Sequence, residues 1–142
     1  MAFFTSARSS VAGLIYEARA WTGVAINHTS SPITDVYIAL HTADPNAGNQ
    51  TTSEAAYTSY ARVAVGRSTS GWTESGGVET NDAEIAFPAC TGGSSTVTYA
   101  STGRDSSGAG QGFISGATSA SLAVSSGITP RFIASALSIT IA

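Results

Sequence analysis

Lysine is absent from this sequence, and cysteine occurs once, at Cys90. Without lysine the chain cannot supply the amine of an isopeptide crosslink, so on that side any assembly it enters is non-covalent. A single cysteine excludes an internal disulfide, and the setting Phe87-Pro88-Ala89-Cys90 reads as a small buried apolar residue. Charge is scarce too: Asp, Glu, Lys and Arg make up 11% of the residues, against roughly 25% in ordinary soluble domains. The net charge is -3 and the six basic residues, all arginine, are dispersed. Nucleic acid would require a basic stripe that displaces counterions, so no nucleic-acid partner is expected. Two histidines cannot build a typical zinc site unless carboxylates join them, and no metal or other cofactor is expected. No apolar run approaches the roughly 18 residues that cross a bilayer, so a membrane partner is not expected. Ala18-Arg19-Ala20 has the small residues of a signal-peptidase site, but no strong apolar block precedes it and Glu17 does; with Met1 at the start, no export signal is read. Heptads and internal repeats are missing as well, which argues against a coiled-coil or repetitive shaft.

Against these absences stand 142 residues, 42% of them hydrophobic, which suffice for a single domain over residues 1–142 with its own core. Serine and threonine supply the polar surface, in runs such as Ser68-Thr69-Ser70, Ser94-Ser95-Thr96 and Ser106-Ser107. Their hydroxyls bond water or nearby backbone and give little repulsion between copies, which suits dense assembly.

Between Thr5 and Trp21 the apolar residues Val11, Leu14, Ile15, Ala18 and Trp21 recur at three- and four-residue intervals. This pattern predicts an amphipathic helix over residues 5–22, capped by Thr5 or Ser6 and ended by Gly23. From there the period is alternating, and residues 33–142 read as β. Asp35 to His41 is a strand bounded by Pro32 and Asp44-Pro45, and a polar loop from Ala43 to Ser53 follows. Further strands are expected at Tyr60 to Val65, Trp72 to Glu74, Ala83 to Phe87, Thr96 to Ser101, Gly112 to Ser115, Ser121 to Val124, Arg131 to Ala134 and Leu137 to Ile141. Many short strands with Gly-rich turns indicate a mainly β fold: an antiparallel, jelly-roll-like β-sandwich with one N-terminal helix.

Catalytic motifs are not found. A hydrolase nucleophile turn would read Gly-x-Ser-x-Gly, and Gly112-Phe113-Ile114-Ser115-Gly116 has the wrong spacing. His41 and Asp44 stand three residues apart at a strand exit, where Asp44 is expected to organise the turn before Pro45. Glu74 with Glu79, or Asp82 with Glu84, could form a carboxylate pair only by chance of folding. No enzyme is expected.

Val36-Tyr37-Ile38-Ala39-Leu40-His41-Thr42-Ala43-Asp44-Pro45, then Tyr60-Ala61-Arg62-Val63-Ala64-Val65, resembles a widespread family of small bacteriophage structural proteins. Ile85-Ala86-Phe87-Pro88-Ala89 with Thr91-Gly92-Gly93 is similar to that family's middle strand and turn, and Gly127-Ile128-Thr129-Pro130-Arg131-Phe132 with Ala136-Leu137-Ser138-Ile139 to its closing pair. The resemblance implies a virion protein made in the bacterial host cytoplasm. Its build is similar to that of cement or decoration proteins, so the expected place is the outer surface of the phage head, bound to the major capsid protein and to itself as a homodimer or homotrimer. Relatives in this family are often called tail-fibre proteins, and a tail or receptor-binding module is the alternative. A carbohydrate-binding β-domain that stacks sugars on Trp21, Trp72 and tyrosines is another. The expected assembly contacts are Asp44, Arg62, Arg67, Trp72, Arg104 and Arg131, the arginines because their planar forks pair with carboxylates at interfaces.

Overall fold

The computed structural model describes residues 3–142. One helix, α1 (Thr5–Tyr16), precedes nine strands: β1 (Asp35–His41), β2 (Val63–Gly66), β3 (Trp72–Ser75), β4 (Val78–Asn81), β5 (Ile85–Ala86), β6 (Ser95–Gly103), β7 (Gly112–Val124), β8 (Arg131–Phe132) and β9 (Ser138–Thr140). The strands form a four-stranded sheet in the order β2-β1-β6-β7, a three-stranded sheet in the order β3-β4-β9, and a β5-β8 pair. The ladders of β1 with β6, β6 with β7, β3 with β4 and β4 with β9 are antiparallel. The chain is therefore mainly β with one N-terminal helix, as its patterning indicates. It gathers into two compact units, one made of residues up to Asp35, Gly66–Ile85 and Phe132–Ala142, the other of Val36–Val65 and Ala86–Arg131.

In the first unit, α1 is shorter than its periodicity suggests. The helix stops at Tyr16 because the Gly13 carbonyl accepts from both the Glu17 N–H (3.1 Å) and the Arg19 N–H (2.9 Å), and Ala18 turns left-handed at φ 56°. Gly13 permits this: a Cβ there would lie 2.5 Å from Arg19 Nε. The N-cap is Phe4, with no side-chain cap, and Gly23 (φ 76°) serves a separate tight turn between Trp21 and Ala25. The buried face is Ala12, Gly13 and Tyr16, while Val11, Leu14, Ile15, Ala18 and Trp21 are half-buried. Tyr16 packs on Trp72 with ring centroids 5.0 Å apart, and the fully buried Trp72 opens the β3–β4 hairpin. β4 carries no strand signal beyond the Gly76-Gly77 turn before it. Both glycines have positive φ, 65° and 88°, the conformation a two-residue hairpin needs to match strand twist.

The second unit is built around β1, which follows the sequence pattern residue for residue. Val36, Ile38 and Leu40 point to one buried face, and Ala39 and His41 on the other face are buried as well. Tyr57, Phe87, Cys90, Val97 and Val124 complete the core, so Cys90 is the small buried residue its neighbours indicate. β2 begins three residues later than expected, at Val63: Tyr60 still closes a turn, with Ser59 left-handed at φ 80° and the Tyr60 N–H donating to Tyr57 O at 3.0 Å. The two segments expected after Gly112 are one continuous strand, β7.

Candidate functional site

Two loops of the second unit, 42–53 and 104–111, are fastened by buried polar side chains. At the end of β1, His41 is fully buried, with Nδ1 2.9 Å from the Thr52 carbonyl and Nε2 2.7 Å from Ser101 Oγ. One tautomer satisfies both contacts: Nδ1–H donates to the carbonyl, and the Ser101 hydroxyl donates to Nε2. Burial pushes the His41 pKa below its ordinary value, which holds the ring neutral. The main chain reinforces the closure, since the Thr42 N–H donates to Ser53 O and the Ala55 N–H donates to Leu40 O, both at 2.8 Å.

Arg62 anchors the other loop. Its Nε and Nη2 fork onto the Glu54 carboxylate at 2.7 and 2.8 Å, while Nη1 and Nη2 donate to the carbonyls of Asp105 and Gly108, both at 2.8 Å. This pairing with Glu54 outweighs burial and raises the Arg62 pKa. The Tyr60 hydroxyl donates to Glu54 at 3.0 Å and accepts from the Leu40 N–H at 3.0 Å; burial raises its pKa. Gln50 binds the same loop by both amide ends, accepting from Asp105 N–H (3.0 Å) and donating to Asp105 O (3.2 Å). Between the 42–53 loop and strands β6 and β7 lies a cavity of about 70 Å³ lined by Pro45, Asn46, Gln50, Ser101, Phe113 and Ser115 among others. That is room for a few waters and far below the roughly 300–1,000 Å³ of pockets that enclose a drug-sized ligand.

The first unit has its own polar interior. Glu74 and Glu79 face each other across the β3–β4 ladder. Arg19 Nη2 reaches Glu17 at 2.9 Å and Glu74 at 3.3 Å. Burial raises the Glu74 pKa, but the Gly77 N–H, the Ser9 hydroxyl and Arg19 outweigh it and hold the group below its ordinary value. Glu79 is fully buried, and neither of its carboxylate oxygens has a hydrogen-bond partner among the described residues. Burial, with Glu17 and Glu74 nearby, pushes its pKa up to about 8. No group of three or more His, Cys, Asp or Glu among the described residues has a metal-holding arrangement.

The six expected contact residues divide by direction. Arg62 and Trp72 are buried inside their units, so neither presents an outer contact, and Trp72 offers no sugar a stacking platform. Arg67 is half-buried and turned inward: it donates to the carbonyls of Leu14 and Ile15 (the latter at 2.6 Å) in the last turn of α1, to Ile33 O at 3.2 Å and to Asn27 Oδ1. A cation at a helix C-terminus satisfies carbonyls left over there. Asp44, Arg104 and Arg131 are exposed. Asp44 Oδ1 accepts from the Asn46 N–H (3.0 Å), which organises the turn before Pro45, and from Ser115 Oγ (3.3 Å). Glu54, Tyr60, Gln50 and Ser101 have no distinguishing sequence signal, because their partners come from other parts of the chain.

The family described as "Podophage GP4 fiber I protein gp80" matches residues 16–140, nearly the whole β region and the end of α1. The chain belongs to this family. No curated protein matches it. As a member of the gp80 family the chain is a phage structural protein, which agrees with the resemblance carried by its strand motifs. The family description names a fibre, so it favours the tail-fibre alternative over a head cement protein. The match begins at Tyr16, leaving most of α1 outside it. No helix among the described residues is long and apolar enough to cross a membrane.

Proposed function

We propose that this chain is a non-catalytic structural part of the tail-fibre apparatus of a phage, joined non-covalently to other tail components and to copies of itself. The observation that carries this reading is the fibre-family match over residues 16–140. The expected cement role, with the major capsid protein as partner, is replaced here by a place on the tail. The geometry supports a scaffold: Arg62, Gln50 and His41 fasten two loops that would otherwise lose entropy on every contact, so the surface they present is rigid before it meets a partner. Scarce charge lets identical copies approach closely. Asp44, Arg104 and Arg131 are the exposed charges of the expected contact set and the ones available at such a surface.

In this reading the His41–Ser101 pair is a fastening and not a nucleophile with its base. Ser101 lies within β6, paired with Ala39 and Ser115, and not on a strained turn that would present its hydroxyl to a substrate. Labelled-antibody electron microscopy of purified particles tests the location. Signal on the tail is the expected outcome, and uniform labelling of the head shell would overturn the proposal.

A further inference from the structure

We propose that Glu79 is a proton-operated latch for α1: while its carboxyl holds a proton the helix lies closed on β3 and β4, and loss of that proton frees the helix from the sheet. Trp72, Glu74, Glu79, Asn81 and Ile139 share one face of the β3-β4-β9 sheet, as the pairs Trp72–Asn81, Glu74–Glu79 and Glu79–Ile139 require. α1 lies against β3 and β4 on that face, with Tyr16 on Trp72. Glu79 stands on the middle strand and is fully buried. Every buried side-chain nitrogen or oxygen that lacks a hydrogen bond among the described residues belongs to Glu17, Trp72 or Glu79, so all of them lie where the end of α1 meets this sheet. Polar atoms buried without partners cost free energy, and the closed helix is what keeps these from water.

The groups around Glu79 make its ionisation repulsive. Glu17 after α1, Glu74 on β3 and Asp82 after β4 are acidic, and the cation beside them, Arg19, is divided between Glu17 at 2.9 Å and Glu74 at 3.3 Å. β9 brings only Ser138, Ile139 and Thr140. An ionised Glu79 has to reach water, and the sheet is the firmer of its two covers, since ladders bind β4 to β3 on one side and to β9 on the other. α1 is the weaker cover. Its N-cap Phe4 makes no side-chain bond, its first turn has no acidic residue and its last no basic one, and a helix of 12 residues is marginal on its own. Bonds from Arg67 to the Leu14 and Ile15 carbonyls and the Tyr16–Trp72 contact hold it down, and these are what release breaks.

With α1 closed the Glu79 pKa is about 8, and opened to water it returns towards the ordinary 4.5. Between those values opening releases a proton, so the opening equilibrium rises roughly tenfold for each pH unit. Amide exchange of the full chain at about pH 6 and about pH 8, each amide referred to its intrinsic rate, reads this directly. Protection of the α1 amides is expected to fall at least roughly tenfold between the two in wild type and to stay level in Glu79→Gln, which has no proton to lose. The β4 and β6 amides are expected to keep their protection, because the sheets stay paired. Glu17→Gln is a second arm that leaves Glu79 ionisable: with one acidic neighbour gone the closed-state pKa drops, and the loss of α1 protection is expected to be smaller than in wild type. The proposal is overturned if α1 protection changes with pH alike in wild type and Glu79→Gln, if the loss in Glu17→Gln equals that of wild type, or if β4 and β6 lose protection in step with α1.

Discussion

The polar residues inside each unit determine how stability depends on pH, and Glu79 dominates. Its carboxyl is buried without a partner, and its pKa of about 8 lies far above the ordinary 4.5. Between those values the folded chain holds a proton that the unfolded chain has released, so stability falls as pH rises from 4.5 towards 8 and is level above. His41 acts with the opposite slope: its lowered pKa means stability is lost as pH falls below the ordinary 6.5. Glu79→Gln removes the ionisation while keeping the shape. Above about pH 8 the variant is expected to be roughly 1–3 kcal/mol more stable than wild type, with the gain gone near pH 4. Urea unfolding across that range reads the difference; a gap that did not change with pH would show that Glu79 does not carry the proton.

Among the elements, the β3–β4 hairpin illustrates a signal present but incomplete. Gly76-Gly77 marks a turn, yet Val78–Asn81 shows no apolar alternation, because its buried positions are Glu79 and Asn81. Asn81 is buried for its bonds: its side chain donates to Ala83 O (2.7 Å) and Ile133 O (2.9 Å) and accepts from the Leu137 N–H (2.9 Å). The two glycines are separable by mutation. Gly76 is left-handed with open space around it, so Gly76→Ala is expected to cost about 1–2 kcal/mol, the conformational penalty alone. At Gly77 a Cβ would also lie 2.5 Å from Arg8 Cβ, so Gly77→Ala is expected to cost more. Thermal melts of the two variants settle the order, and equal losses would mean that α1 yields freely. β7 teaches the converse: its small residues hide one strand as two, and β6 pairs with both parts while Thr118–Ser121 between them leave the ladder.

For the whole molecule, neither compact unit is a contiguous piece of sequence. The first draws on three segments, the last of which supplies β9 to pair with β4. Deleting residues 137–142 is therefore expected to strip β4 of a neighbour and uncover the core contacts of Ile139 and Ile141, each a burial of about 1.5–3 kcal/mol. A fall in melting temperature with faster amide exchange in β3 and β4 is the outcome to look for; unchanged exchange there would refute the role of β9. What the sequence determined by itself was whatever depends on composition and local period: a neutral, lysine-free surface, the mainly β class with one helix ahead of it, β1 in full, and the buried setting of Cys90. Tertiary structure alone decided where the arginines point and where strands join. Arg62 meets Asp105 across 43 residues and Arg67 meets Ile15 across 52, and a periodic pattern is silent about partners so remote because only the folded backbone makes them neighbours.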